Sequence, residues 1–171
     1  ISDPLIPPDS GHEMVRMAAL LAPLGIDVAA DDIPAPNFKP RADWIDAAMD
    51  FLSGEEIAPG GYVMLGVGAR RRVRQPEPTQ VLRWARALHE RHGLHTVFTW
   101  SPGGRDDRLY PGDDDIAETV LADCPTWIHP YRGELGVIVG LTWLAKTSIY
   151  PDSGLMHVAA TSPGGVVGLF A

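Results

Sequence analysis

One short segment near the end of the chain combines residue types that bind anions. It follows a predicted strand and reads, in order, Asp152, Ser153, Gly154, Leu155, Met156 and His157. Gly154 allows a ligand to approach the backbone amides at the start of the next predicted helix, because it has no side chain. Those amides and the positive end of the helix dipole suit a diphosphate. The segment is therefore the first candidate binding site.

The same segment has a simpler interpretation that needs no ligand. Ser153 or Asp152 can cap the helix by accepting a hydrogen bond from a first-turn amide. His157 lies on an otherwise apolar turn, where a histidine is commonly part of the core. Both interpretations stay open on the sequence alone.

A loop with four arginines follows the strand predicted at Tyr62–Val67. Guanidinium groups bind phosphate oxygens in a bidentate manner, so Arg70, Arg72 and Arg74 are candidate phosphate-binding residues. The alternative is a solvated basic turn or a patch for a partner protein. Two glycines precede the arginines without the third glycine of a dinucleotide-binding fingerprint.

A polar glycine-rich loop follows the next predicted strand and includes Gly104 and Asp106. A carboxylate at the end of a strand can accept hydrogen bonds from ribose hydroxyls. We expect Gly104, Asp106 and Gly133, which follows a later strand, to contact a ribose or a base; a mobile surface loop is the alternative for the first two. The acidic run Asp113–Asp115 is interpreted as a charged helix start. The histidines lack the close spacing of metal ligands, so we assign no metal.

The elements that must position these loops alternate between strand and helix. Helices are predicted from an amphipathic period or a glycine stop, and strands from short stretches rich in apolar and β-branched residues. The helices are His12–Leu24, Ala42–Leu52, Thr79–His92, Asp113–Asp123, Leu135–Ala145 and Leu155–Ala160. The strands are Tyr62–Val67, His95–Trp100, Trp127–His129, Thr147–Tyr150 and Val166–Phe170. This alternation predicts an α/β fold, a Rossmann-like parallel sheet with helices on both faces, whose ligand lies beyond the carboxyl ends of the strands.

Composition narrows the class of protein and its organisation. The formal net charge of −8 argues against nucleic acid and an anionic membrane surface as partners. A single cysteine, Cys124, excludes an internal disulfide, and no apolar run reaches about 20 residues. We expect residues 1–60 to be a linker and connecting helices after a missing N-terminal domain, with one short edge strand within 26–40, and residues 61–171 to form the Rossmann-like domain.

Taken together, these motifs resemble glycosyltransferase family nine, the ADP-heptose:lipopolysaccharide heptosyltransferases. The family's signature is Asp-Ser/Thr-Gly-x-x-His-x-Ala-Ala, matched by Asp152–Ala160, followed by an apolar strand matched by Val166–Ala171. The resemblance covers nearly the whole chain. A family lysine falls on Val73, a family tryptophan falls on Gln75, and the final family glycine is Ala171. The departure at Val73 leaves Arg72 or Arg74 to supply the positive charge.

The resemblance implies the C-terminal half of a GT-B glycosyltransferase. Such an enzyme would transfer a sugar, from ADP-heptose or a related donor, with inversion and without a metal or other cofactor. Residues 152–157 would bind the donor, while the catalytic base and the lipopolysaccharide-type acceptor site would lie in the missing domain. The protein would work in the cytoplasm, at the inner face of the bacterial inner membrane, with at most peripheral membrane contact.

Two other classes of function stay open. A non-catalytic nucleotide-sugar-binding or interaction module would keep the fold without the transferase activity, which Val73 and Gln75 favour. A nucleotide-sugar epimerase of related architecture would act on a donor without any acceptor.

Overall fold

A computed structural model describes residues 13–29, 32, 37–107, 109–122 and 124–170. The chain divides into two compact units, Ile1–Asn37 and Phe38–Ala171. The predicted linker before residue 11 lies outside the described residues.

The first unit contains the predicted amphipathic helix in two parts. Helix α1 spans Glu13–Ala18, and a 3-10 helix continues over Ala19–Leu24. Pro23 within the second part removes a backbone donor, which accounts for the change in helix type. Gly25 ends it in the left-handed conformation at φ 72°. No strand forms among the described residues of 26–40, so the expected edge strand is absent there.

The second unit contains the remaining elements, which agree with the predicted ones to within a few residues. Its helices are α2 (Ala42–Gly54), α3 (Pro78–His92), α4 (Asp114–Leu121), α5 (Leu135–Leu144) and α6 (Gly154–Ala159). Its strands are β1 (Tyr62–Gly66), β2 (His95–Thr99), β3 (Ile128–Pro130), β4 (Thr147–Pro151) and β5 (Val166–Leu169).

The five strands form one parallel sheet in the order β3-β2-β1-β4-β5. Every residue of the central strand β1 is buried, as expected for a strand covered on both faces. The chain builds outward from β1 to β3, then crosses to β4 and β5 on the other side. The order of strands therefore reverses between β1 and β4, which is where open sheets of this kind bind ligands.

Helices cover both faces of the sheet, as the sequence predicts. One core joins α2, α5 and α6 to residues such as Met64 and Tyr150. The other joins α3 and α4 to residues such as Leu65 and Phe98. The predicted Rossmann-like α/β fold is confirmed.

Helix α2 belongs to the second unit through its contact with α5. A side chain at Gly140 would collide with the backbone of Trp44 and with Ala48, so glycine allows the two helices to approach closely. The compact unit thus includes residues 38–60, which the sequence interpretation assigned to the connecting segment.

Candidate functional site

The candidate site lies where the loops after β1, β2 and β4 meet, at the point where the strand order reverses. Two neighbouring cavities open there and share Gly68, Ser101 and Pro102 as lining residues. We call them the apolar cavity and the charged cavity. Their position is the one that the parallel sheet predicts.

The apolar cavity has a volume of about 250 Å³. It is lined by Gly66, Gly68, Thr99, Trp100, Ser101, Pro102, Gly133, Leu135, Ile138, Tyr150 and Leu155. The hydroxyl of Thr99 is buried and has no hydrogen-bond partner. Aromatic and aliphatic walls with one unpaired polar group are typical of a pocket for a flat organic group.

Two positions in the wall of the apolar cavity require glycine, because neighbouring side chains approach their Cα atoms closely. A side chain at Gly66 would collide with the ring of Tyr150. A Cβ at Gly68 would lie 2.8 Å from the Ser101 hydroxyl oxygen. Tyr150 is held in place by a 2.9 Å hydrogen bond between its hydroxyl and that of Thr142, and burial raises its pKa. The two glycines therefore serve packing, in agreement with the absence of a dinucleotide fingerprint.

The charged cavity has a volume of about 530 Å³. It is lined by Gly68, Ala69, Arg70, Ser101, Pro102, Leu109, Tyr110, Pro111, Asp152, Ser153 and Gly154. It brings Arg70, predicted to bind phosphate, beside three residues of the motif that starts at Asp152. Arg70 is exposed and has no ion pair within the described part of the chain. Its positive charge is available to a ligand.

Arg74 and Asp152 form an ion pair across the mouth of the site. A guanidinium nitrogen of Arg74 lies 2.6 Å from a carboxylate oxygen of Asp152, and both side chains are about one-third exposed, at 34% and 28%. Such a partly exposed pair contributes about 0–1 kcal/mol because water screens it. The two sequence motifs are thus in direct contact, through an interaction that a ligand could replace at low cost.

Arg72 points toward acidic side chains instead. Its guanidinium lies 3.8 Å from Glu77 and 3.7 Å from Asp115, both exposed. These long distances describe a solvated basic turn, which is the alternative interpretation of the arginine run. The three arginines therefore have different surroundings, although the sequence predicts the same phosphate-binding role for all of them.

The start of α6 is not capped by either predicted side chain. Ser153 is the residue before the helix, but no side-chain hydrogen bond caps the first turn. The Ser153 hydroxyl has no partner, and Asp152 is engaged by Arg74. The simple capping interpretation is therefore wrong in this structure. A Cβ at Gly154 would meet no atom within 4 Å, so the space beside it is open.

The remaining residues of the motif separate into different environments. Leu155 lines the apolar cavity, and Met156 is buried in the core beneath it. His157 is exposed, so the interpretation of this residue as a core histidine is wrong. His157 lines neither of the two cavities.

A buried aspartate, which the sequence interpretation missed, holds the loops of the site together. Asp113 accepts hydrogen bonds from the side-chain amide of Gln75 and, at 3.0 Å, from the guanidinium of Arg105. Gln75 also donates to the Val67 carbonyl at 2.9 Å, and Arg105 to the Ala69 carbonyl at 3.3 Å. Asp113 thereby fixes the loop after β1 to the loop after β2.

The acidic run Asp113–Asp115 gave no signal of this role, because a helix start is commonly acidic. Gln75, noted only as a departure from the family pattern, is likewise buried. Asp114 is engaged as well: it accepts from the Trp100 indole at 2.8 Å and from the Gly103 amide at 2.9 Å. The hydrogen bond from Trp100 is the main reason that the pKa of Asp114 lies below its usual value.

The candidate ribose- or base-contacting residues are not all brought together. Gly133 lines the apolar cavity. Asp106 is exposed, and its carboxylate lies against Gly104, on the part of the β2 loop outside the two cavities. Their roles stay predictions.

The described residues contain neither a metal-binding cluster nor a membrane-spanning helix. No group of three or more histidine, cysteine, aspartate or glutamate side chains there is arranged to hold a metal ion. None of the helices in that part of the chain has the length and apolar character needed to cross a bilayer.

These features define an α/β domain with an open crevice at the carboxyl ends of its strands, and known structures share its fold. No family model and no curated protein matches the sequence. The chain is similar to the crystal structure of a family 9 glycosyl transferase from Veillonella parvula DSM 2008, with a TM-score of 0.65 and 17% identity. That match covers 90% of this chain and 42% of the other.

The chain is also similar to the structure of E. coli ADP-heptose lps heptosyltransferase II. The TM-score is 0.59 and the identity 20%, over 81% of this chain and 42% of that one. The resemblance stated from the sequence is therefore confirmed at the level of the fold. The chain spans less than half the length of either of these proteins.

Proposed function

We propose that this chain is the donor-binding half of a glycosyltransferase that uses a nucleoside diphosphate sugar, with ADP-heptose as the expected donor. The observation that carries the proposal is the pair of adjoining cavities at the reversal of strand order. One has apolar walls suited to a base, and the other has arginine, carboxylate and hydroxyl groups suited to a diphosphate sugar. The fold shared with the two glycosyltransferases supports this assignment.

In the proposed complex, the base enters the apolar cavity beside Gly133 and Leu155. Arg70 and Arg74 bind the diphosphate, with the backbone amides of residues 153–156, and Asp152 binds sugar hydroxyls. Arg74 must then exchange its contact with Asp152 for the phosphate oxygens. Because that ion pair is partly exposed and contributes little stability, the exchange requires little free energy.

The proposed reaction is a direct displacement with inversion. An acceptor hydroxyl oxygen attacks the anomeric carbon, the bond from that carbon to the diphosphate oxygen breaks, and a base supplied by another domain takes the proton. Negative charge develops on the leaving diphosphate, where the guanidinium groups stabilise it. No covalent intermediate and no metal is required. The lipopolysaccharide-type acceptor and the cytoplasmic location belong to the same proposal.

Calorimetry of the 171-residue chain with ADP, UDP and GDP tests the proposal. We expect weak binding of ADP, because the charged cavity is open to solvent, and affinity that falls as salt rises. A clear preference for UDP or GDP would contradict the ADP assignment. Absence of binding by all three would contradict the donor-binding role.

A non-catalytic binding module is the second candidate, and Val73 favours it. At the position of the family's lysine this chain has a valine that is 72% exposed. The two candidates differ in activity once an upstream domain is present. Sugar transfer by a longer protein that includes such a domain supports the enzyme, and nucleotide-sugar binding without transfer or hydrolysis supports the module.

A further inference from the structure

The loop between β2 and α4 is closed at its base and presents two apolar side chains at its tip. The Asp113 amide donates to the Ser101 carbonyl at 2.8 Å, and the Gly112 amide to the Gly104 carbonyl at 3.0 Å. A side chain at Gly112 would collide with the backbone of Gly103, so the two ends of the loop are in contact. Compact loops with closed ends often carry function.

The tip of this loop is fixed by a carboxylate. One oxygen of Asp107 accepts hydrogen bonds from the amides of Leu109 and Tyr110, each at 2.8 Å. These two bonds, of which that from the Tyr110 amide has the larger effect, hold the pKa of Asp107 below its usual value. The backbone that carries Tyr110 is therefore positioned by the protein before any ligand arrives.

Tyr110 and Leu109 are exposed although both are largely apolar. Their exposed fractions are 82% and 78%, and both line the charged cavity. Exposure of neighbouring apolar side chains beside a cavity is typical of a binding surface. An aromatic ring in such a position offers a flat apolar face to a ligand.

The same cavity has polar groups that a sugar requires. Asp152 supplies a carboxylate that accepts hydrogen bonds. Its ion pair with Arg74 is partly exposed to water, so a ligand can replace Arg74 there. The hydroxyl of Ser153 is buried without a partner, so a ligand hydroxyl would satisfy it. Sugars present an apolar face of C–H groups and a rim of hydroxyls, which match the ring of Tyr110 and these polar groups respectively.

We propose that Tyr110 is a stacking platform for a sugar ring in the charged cavity, whose hydroxyls are bound by Asp152 and Ser153. The sugar comes either from the nucleotide donor or from a glycan acceptor, since both have the same ring chemistry. The donor as its source rests on the proposed function. A protein partner is less favoured, because the ring lines a cavity of about 530 Å³ and not a flat surface.

Affinity measurements with ADP, ADP-glucose and the free glycan maltotriose test this inference. We expect Tyr110→Ala to weaken ADP-glucose binding by about two- to tenfold, the range of an aromatic stacking contact, with little change for ADP. Tyr110→Phe should retain the affinity, because it keeps the ring. Phe170→Ala removes another exposed aromatic ring, one that lines neither cavity, and should change nothing.

The outcomes separate this inference from the proposed function. Equal weakening of ADP and ADP-glucose by Tyr110→Ala would place the ring against the nucleotide and overturn the stacking role. If the wild-type chain binds no nucleotide, the proposed function fails, and the inference is decided by saturation-transfer NMR with maltotriose. A sugar signal that Tyr110→Ala abolishes supports the inference with an acceptor glycan. A signal that survives the substitution, or no signal at all, overturns it.

Discussion

The mouth of the crevice and the buried network behind it both depend on a pair between arginine and aspartate, with opposite physical character. Arg74 and Asp152 meet at 2.6 Å where water reaches both side chains. Arg105 meets Asp113 at 3.0 Å, where the aspartate is fully buried and also bound by Gln75. The exposed pair could be replaced by a ligand at little loss of stability, whereas the buried pair maintains the shape of the loops that line the two cavities.

The largest effect should follow from removal of the buried carboxylate. Asp113→Ala removes the carboxylate that accepts hydrogen bonds from both Gln75 and Arg105. We therefore expect a loss of about 3 kcal/mol in the free energy of unfolding. Asp115→Ala, which alters an exposed acid two residues away, should change it by less than about 0.5 kcal/mol. Urea denaturation of both variants measures the difference. Equal effects would show that Asp113 does not have the structural role described.

A smaller effect on stability, with an effect on binding, is expected at the mouth. Arg74→Gln should lower the free energy of unfolding by less than about 1 kcal/mol, because the Arg74–Asp152 ion pair is partly exposed. Its affinity for ADP should fall about tenfold, since charge-assisted hydrogen bonds are lost. Arg83→Gln, at an exposed arginine of α3, is the matched control and should leave calorimetric affinity unchanged. The comparison fails if Arg74→Gln unfolds the chain or binds ADP normally.

The smallest expected effect is a change in the pH dependence of stability, and it arises from His95, which belongs to neither ion pair. His95 has a pKa below its usual value because of burial, then because of His129 and His89; its Nδ1 lies 2.8 Å from Nε2 of His129. The unfolded chain therefore binds a proton at higher pH than the folded chain does. Stability contributed by neutral His95 is present above pH about 6.5 and declines as pH falls below it.

His95→Gln should reduce the slope of stability against pH in that range. Thermal melts between pH 5 and pH 8 measure this slope for the variant and the wild type. An unchanged slope would assign the pH dependence to other groups. ADP affinity at the crevice should not follow the same profile.

The sequence predicted the fold well because local signals agree with it. The central strand β1 is a continuous apolar run, and Gly93 ends α3 in the left-handed conformation that glycine favours. The strand order then locates the crevice by a general rule. The contact between Arg74 and Asp152 places the arginine loop beside the motif that starts at Asp152, and the role of both in binding stays a prediction.

The sequence did not predict which polar side chains become buried and which stay exposed. A run of three acids gives the same local pattern whether its first member is solvated or fully buried, as Asp113 is. Gln75 and Arg105 are likewise defined by a partner that lies far away in sequence. His157 shows the reverse error, because an apolar turn does not fix the direction of one of its side chains.

The central claim is that a nucleotide binds in the crevice between the ends of β1 and β4. Backbone amide NMR spectra of the chain, recorded as ADP is added, test it most directly. We predict the largest shifts at Gly68, Ser101 and Gly154, and their loss in Gly154→Val, whose side chain would enter the open space beside the motif. Gly54→Val, also open but at the end of α2, is the control and should keep the shifts. Shifts confined to other surfaces, or shifts that survive Gly154→Val unchanged, would contradict the account.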